Sequence, residues 1–305
     1  MSGTPRLLDI ETVAIAAESR IDKNATALLA RLAKNSVANS LCSAILCALV
    51  CATVTIVPAN ARADGGCPTR ADAISTDRPG VTNSSTVVPY GSFQVESGID
   101  WSVTGGSNVL TGSETRLRLG VANCTEFLID VPSYVGSING PHASGFNNVV
   151  VSAKRQLPIP FGFNMSAVAG LGFPSGYHKI SGRGYQPYIQ APWSHDLPYG
   201  WSAAGMFTVT WFPSQSEKNP TFGPTFTLGR SLGPSTNMAI EYGGNYNHQR
   251  PTHVLDTLGQ WRFTNTQQLD FQAGFGLNSS SVDHFFGVGY SFRLDGLFGT
   301  TSTSP

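Results

Sequence analysis

The chain has 305 residues, only 12% of them charged, with 10% aromatics, 33 glycines and a formal net charge of zero. It is too sparsely charged for a typical soluble domain and too polar for a helical membrane protein. No basic excess is available to neutralise phosphates, so nucleic acid is not an expected partner.

At the N-terminus, residues 41–57 form the long apolar run, preceded by Arg31 and Lys34 and followed by Pro58 and Ala61-Arg62-Ala63. A charged region, an apolar region and a small-residue site in that order describe a secretory signal peptide, with cleavage expected after Ala63. A single membrane anchor is the alternative, since ~17 apolar residues just span a bilayer. Residues 1–63 are read as an N-terminal extension plus signal peptide. The stretch before Arg31 is long for such a leader and leaves the true start open. Cys42, Cys47 and Cys51 leave with it. Cys67 and Cys124 remain in a compartment that permits disulfides, and a Cys67–Cys124 bridge is expected, with two free thiols as the alternative. Residues 64–90 are rich in Pro, Ser, Thr and Asn and have no sustained period. They read as a periplasmic N-terminal segment or a short plug.

From Phe93 onward the pattern changes to alternation. Phe93, Val95, Ile99, Trp101 and Val103 share one face, while Gln94, Glu96, Asp100 and Ser102 share the other. Leu117, Leu119 and Val121 then oppose Arg116 and Arg118, and Phe127, Ile129 and Val131 oppose Glu126 and Asp130. Met165 to Leu171, Trp201 to Trp211, Phe222 to Leu228, Met238 to Tyr246 and Leu269 to Leu277 repeat the scheme. The last segment sets Phe286, Val288, Tyr290, Phe292 and Leu294 against Phe285, Gly287, Gly289, Ser291 and Arg293. This two-residue period recurs about twelve times.

Tight links at residues 123–125, 198–200, 231–234 and 264–267 alternate with longer polar ones at 136–144, 174–184, 213–220, 247–253 and 278–283. Short turns on one rim, long loops on the other and aromatics near strand ends define the expectation. It is an all-β, antiparallel up-and-down transmembrane β-barrel of about twelve strands in the bacterial outer membrane. The barrel is placed at residues 91–298, with a disordered tail at 299–305. A soluble β-sandwich is the alternative, because it too is built of short alternating strands.

If the apolar faces meet lipid, the opposite faces line a lumen. That places Glu96, Asp100, Arg116, Arg118, Glu126, Asp130, Lys154, Glu241, Arg262, Asp270 and Arg293 inside, where charge is tolerated. Their mixed signs either brace a narrow lumen or line a solute path. Arg116 and Arg118 are expected to meet Glu126 and Asp130 in a cross-strand charge cluster. Gly287-x-x-Tyr290-x-Phe292 has the spacing of the signal by which the outer-membrane assembly machinery recognises a strand, although the chain runs on through Asp295.

Enzyme signatures are poor. The six His are scattered without metal-ligand spacing, and no G-x-S-x-G elbow is present. Ser281 and His284 are the sole candidates for a barrel hydrolase. No catalytic residue, metal or cofactor is expected.

The segment STDRPGVTNSSTVVPYGSFQVESG, residues 75–98, resembles the opening of the MetA-pathway of phenol degradation family. TRLRLGVANCTEFLIDVPSY, AGLGFPSG, NPTFGPTF and DHFFGVGYSFRLDGLF continue the resemblance through residue 298. It implies an outer-membrane barrel of transporter type linked to aromatic-compound uptake, and it carries no defined set of binding residues. The expected function is passive transport of small organic solutes, with aromatic compounds as a candidate class. The expected partners are the outer-membrane bilayer, the assembly machinery and the solute. A closed-lumen structural or assembly barrel is the main alternative.

Overall fold

A computed structural model describes residues 66–139, 143–211, 219–248 and 250–298. The expected signal peptide with its three cysteines and the tail 299–305 lie outside them. The ladder segments are β1 (Phe93–Thr104), β2 (Ser107–Gly112), β3 (Thr115–Ala122), β4 (Thr125–Val131), β5 (Tyr134–Ser137), β6 (Gly145–Phe146), β7 (Val150–Leu157) and β8 (Phe163–Gly172). They continue as β9 (Gln186–Asp196), β10 (Trp201–Thr210), β11 (Thr221–Ser231), β12 (Thr236–Asn245), β13 (Thr252–Thr264), β14 (Gln267–Gly276) and β15 (His284–Leu294).

Each segment pairs antiparallel with its neighbour, and β15 returns to β1 over the register Phe93↔Leu294 to Val103↔His284. The sheet therefore closes on itself. β2 and β3 are two halves of one strand against β1, β5 and β4 of the next, and β6 and β7 of the third. Counted this way, the described residues form a closed barrel of twelve strands. The three interruptions are adjacent, and side chains bridge them: the amide of Ser133 donates to Asn147 Oδ1 at 2.6 Å, and its hydroxyl donates to the Ser113 carbonyl at 3.0 Å. Sequence alternation did not mark these breaks, because β2, β5 and β6 are only 6, 4 and 2 residues long and show little period of their own. Each break nonetheless moves the outward positions by one residue, from Leu110 to Leu117, Val131 to Tyr134 and Phe146 to Val151.

Burial is inverted relative to a soluble protein. Phe226, Ile240, Phe271 and Val288 are exposed, while Glu96, Arg118, Glu126 and Lys154 are buried. Water would not support that arrangement, but hydrocarbon outside and a polar interior do. Among the described residues no helix is long and apolar enough to cross a membrane. The strands make the crossing.

The connections follow the expected rims with one departure. The β1–β2 hairpin turns tightly on Gly105-Gly106, although it lies on the rim of the long loops. Both glycines have positive φ, 55° and 78°, which a two-residue type I′ turn requires and which a Cβ would oppose. The link between β8 and β9 carries one helical turn, His178–Ser181, and folds onto the wall through the Tyr177 amide to the Phe146 carbonyl, 2.8 Å. After β15 the chain continues beside the residues leading into β1, where the Leu297 amide donates to the Gly91 carbonyl at 2.8 Å and Phe298 packs on Tyr90.

An arginine on the outer face of β12 tests this assignment. Ile240→Arg places a charge near mid-strand among lipid-facing side chains and is expected to lower stability by about 2–4 kcal/mol in urea unfolding from vesicles. Unchanged stability would shift the inner and outer faces by one residue.

Candidate functional site

The segment before β1 lies inside the barrel. Its backbone amides cannot pair with a strand, so wall side chains satisfy them. The Asp77 amide donates to Glu96 Oε2 at 2.8 Å, Gly80 to Gln272 Oε1 at 2.8 Å, and Val88 to Glu126 Oε2 at 2.7 Å. Glu241 accepts from the amides of Val81 and Thr82, 2.6 and 2.8 Å. Asn83 bonds Gln190 on β9, Ser85 bonds Ser194, and Gln260 on β13 donates to the Arg78 carbonyl. The plug thus engages the wall around most of the lumen. Gly120 on β3 allows its close approach, because a Cβ there would overlap the Pro89 carbonyl.

The densest contact is a charge network on β1, β3, β4 and β7. Arg116 and Arg118 alternate onto the inner face of β3 and meet residues of the same face on β4. Arg116 Nε binds Asp130 Oδ1 at 2.6 Å, and Arg118 Nη2 binds Glu126 Oε1 at 2.8 Å. Arg118 Nη1 also reaches Glu96 at 2.7 Å and the Ser75 carbonyl at 3.0 Å. At the centre sits Asp77 of the plug, 3.0 Å from Arg116 and 3.1 Å from Lys154. Burial would push its carboxyl up, but Arg118, Lys154 and Arg116 outweigh that and hold it well below the usual carboxylate range.

Arg116, Arg118, Lys154 and Glu96 therefore meet Asp77 directly, and Glu126 and Asp130 join through those cations. Asp100 and Asp270 join a second group around Arg78. Glu241 binds the plug backbone separately. Arg262 lies nearer the base, donating to the Pro234 carbonyl at 3.1 Å, and Arg293 binds Asp295 and the carbonyls of Arg70 and Asp72. Asp77, Arg78 and Glu114 were not singled out from sequence. They stand outside the alternating strands, and their one signal is a charged pair in a Ser/Thr-rich segment.

On β15, Gly287 faces inward, where a Cβ would overlap the Asp100 carboxylate, while Tyr290 faces outward and donates to Gln267 at 3.0 Å. Phe292 lies beside Tyr290, ring centroids 6.0 Å apart. The sulfurs of Cys67 and Cys124 are at bonding distance, with Cα atoms 5.2 Å apart. Ser281 and His284 are not brought together as a catalytic pair. The Ser281 hydroxyl bonds the His253 backbone, and the His284 ring lies against Trp101.

Beside the plug, a cavity of about 1170 Å³ lies between Ile74, Thr82 and Ser85 and a wall that includes Ser202, Thr227 and Leu258. Along β10 and β11 the inward lining is small and uncharged, Ser202, Ala204, Thr227 and Gly229, while Glu241, Arg262 and Arg293 put charge elsewhere around the cavity.

A closed antiparallel barrel with an apolar exterior, an ionised interior and an internal N-terminal segment is a bacterial outer-membrane β-barrel. The chain belongs to the family described as "Putative MetA-pathway of phenol degradation", whose model matches residues 76–294. Among solved structures it is similar to an outer membrane channel from Pseudomonas putida F1, at 17% identity and a TM-score of 0.52, covering 68% of this chain and 97% of that one. The NanC porin matches at 10% identity and a TM-score of 0.49, covering 66% and 100%. No curated protein matches by sequence.

Removing Arg118 strips the 2.7 Å counter-charge from Glu96 and leaves Glu126 with Lys154 alone, at 3.5 Å. Arg118→Leu is expected to destabilise the refolded barrel by about 3–5 kcal/mol. Arg262→Leu, nearer the base, should cost less than about 1 kcal/mol. Equal effects in urea titrations would remove the special place of the Asp77 network.

Proposed function

We propose that the barrel passes small organic solutes passively across the outer membrane, aromatic compounds among them. The observation that carries this reading is the cavity of about 1170 Å³ between the plug and a wall that is small and neutral along the inner face of β10 and β11. The family assignment and the channel-like fold support it. The short-turn rim, with the Cys67–Cys124 pair, faces the periplasm in this reading, and the 174–184 loop faces outward. The leader at 1–63 directs export, and the Gly287, Tyr290 and Phe292 pattern serves recognition by the assembly machinery.

A closed structural barrel is the second reading, and the circumferential bonding of the plug favours it. Planar-bilayer recording separates the two. The full-length protein should give small, reproducible conductance steps, and deletion of residues 66–88 should enlarge them severalfold. No current from either would support the closed barrel. Solute class follows from uptake by a deletion strain across aromatic and fatty acids.

The cysteine pair acts here as a staple that closes a loop of 57 residues, worth about 4 kcal/mol by chain entropy. Mass spectrometry of the unreduced protein should yield a linked Cys67–Cys124 peptide. Alkylation of both thiols in fresh membranes would contradict the staple.

A further inference from the structure

The second plug charge, Arg78, enters a place in the wall that is shaped for it. β14, β15, β1 and β3 are consecutive around the barrel. Asp270 comes from β14, Asp100 from β1 and Glu114 from the link between β2 and β3. Between them, Gly98 and Gly289 face each other across the β1–β15 ladder. A Cβ on Gly289 would lie 2.6 Å from Arg78 Nε, and one on Gly98 would overlap the guanidinium carbon. The two glycines open a slot, and three carboxyl groups edge it.

The fit of Arg78 to this slot is incomplete. Its Nη1 donates to Glu114 at 2.8 Å, but Nε and Nη2 stand 3.5 Å from Asp270 and 3.7 Å from Asp100. Those two nitrogens and both carboxylate oxygens of Asp270 are buried without a hydrogen bond, and the Asp270 side chain is 0% exposed. A buried carboxylate with a distant counter-charge and no hydrogen bond is expensive, so a ligand that donated to it would be favoured. Asp77, one residue earlier, is bound at 3.0–3.1 Å by two cations. The plug is therefore anchored by Asp77 and only loosely latched by Arg78. Free of a backbone tether, a planar guanidinium could turn its five donors to all three carboxyls. Glu114 is 35% exposed, which leaves the slot open to lumen water. The acids surround a flat group rather than gather to chelate, and among the described residues no set of three or more His, Cys, Asp or Glu could hold a metal ion.

We propose that this slot is a recognition site for a guanidinium or primary ammonium group, which the plug occupies in cis with Arg78. A cationic organic solute competes with Arg78 for it. The binding site stands on its geometry, and its place in a permeation path rests on the channel reading above.

Methylguanidinium is the probe, with tetramethylammonium, which has no N–H donors, as the control. Full-length Arg78→Ala, confirmed as folded by heat-modifiable gel migration, should bind radiolabelled methylguanidinium in equilibrium dialysis. Addition of Asp270→Asn should lower that affinity at least tenfold. In bilayers the single variant should become severalfold more cation-selective by reversal potential. In the wild-type protein, millimolar methylguanidinium should raise opening frequency where tetramethylammonium does not, a readout that needs no substitution. Binding without current in any form would keep the site and overturn the channel reading. Equal binding by Arg78→Ala with and without Asp270→Asn, or identical effects of the two cations on the wild type, would overturn the site.

Discussion

Everything in this structure depends on the pairing of β15 with β1. In hydrocarbon an unpaired backbone amide or carbonyl costs several kcal/mol, so a sheet can cross the bilayer only without edges. The ladder from Phe93↔Leu294 to Val103↔His284 removes the last edge. Closure also divides every strand into a lipid face and an enclosed face, which is why charges scattered in sequence become one interior. The Gly98–Gly289 slot lies on this same seam.

The enclosed face has a problem of its own. Ion pairs taken out of water repay their desolvation only when geometry is good and remaining hydrogen-bond capacity is met. The plug meets much of that need: its carbonyls accept from Arg118 and Arg293, its amides donate to Glu96, Glu126 and Glu241, and Asp77 completes the set. Where matching is good, around Asp77, Arg116 and Lys154 bind the plug carboxylate at 3.0 and 3.1 Å. Where it is poor, around Arg78, two guanidinium nitrogens and both Asp270 oxygens lack a hydrogen bond. The small, neutral wall of β10 and β11 makes few such demands and leaves a cavity.

Much of the barrel was legible because its period is two and its chemistry is one-sided. Arg116 and Arg118, Glu126 and Asp130 fell in phase on neighbouring strands, and their cross-strand contacts follow from that phase alone. The plug was less legible. Residues 70–88 have no period, since their backbone groups bond irregularly placed wall side chains, Glu96 and Glu241 each taking two amides, and nothing local separates a plug from a periplasmic segment. Asp77 and Arg78 were invisible for that reason. The interrupted strands were hidden because the pieces beyond each break are short, so the one-residue shift from Val131 to Tyr134 or from Phe146 to Val151 looks like an irregular loop. The Gly105-Gly106 turn ran against the rule of long outer loops, yet its two glycines carried the local signal for a tight hairpin.

That the N-terminal segment sits inside the lumen is the central claim, and one distance tests it most directly. The hydroxyls of Thr82 in the plug and Thr225 on β11 are 2.6 Å apart although the residues are 143 positions apart in sequence. Thr82→Cys with Thr225→Cys, in a Cys67→Ser, Cys124→Ser background, should oxidise to a linked peptide identified by mass spectrometry of the folded protein. Two thiols that both react freely with a membrane-impermeant maleimide, with no linked peptide, would place the segment outside the barrel and contradict it.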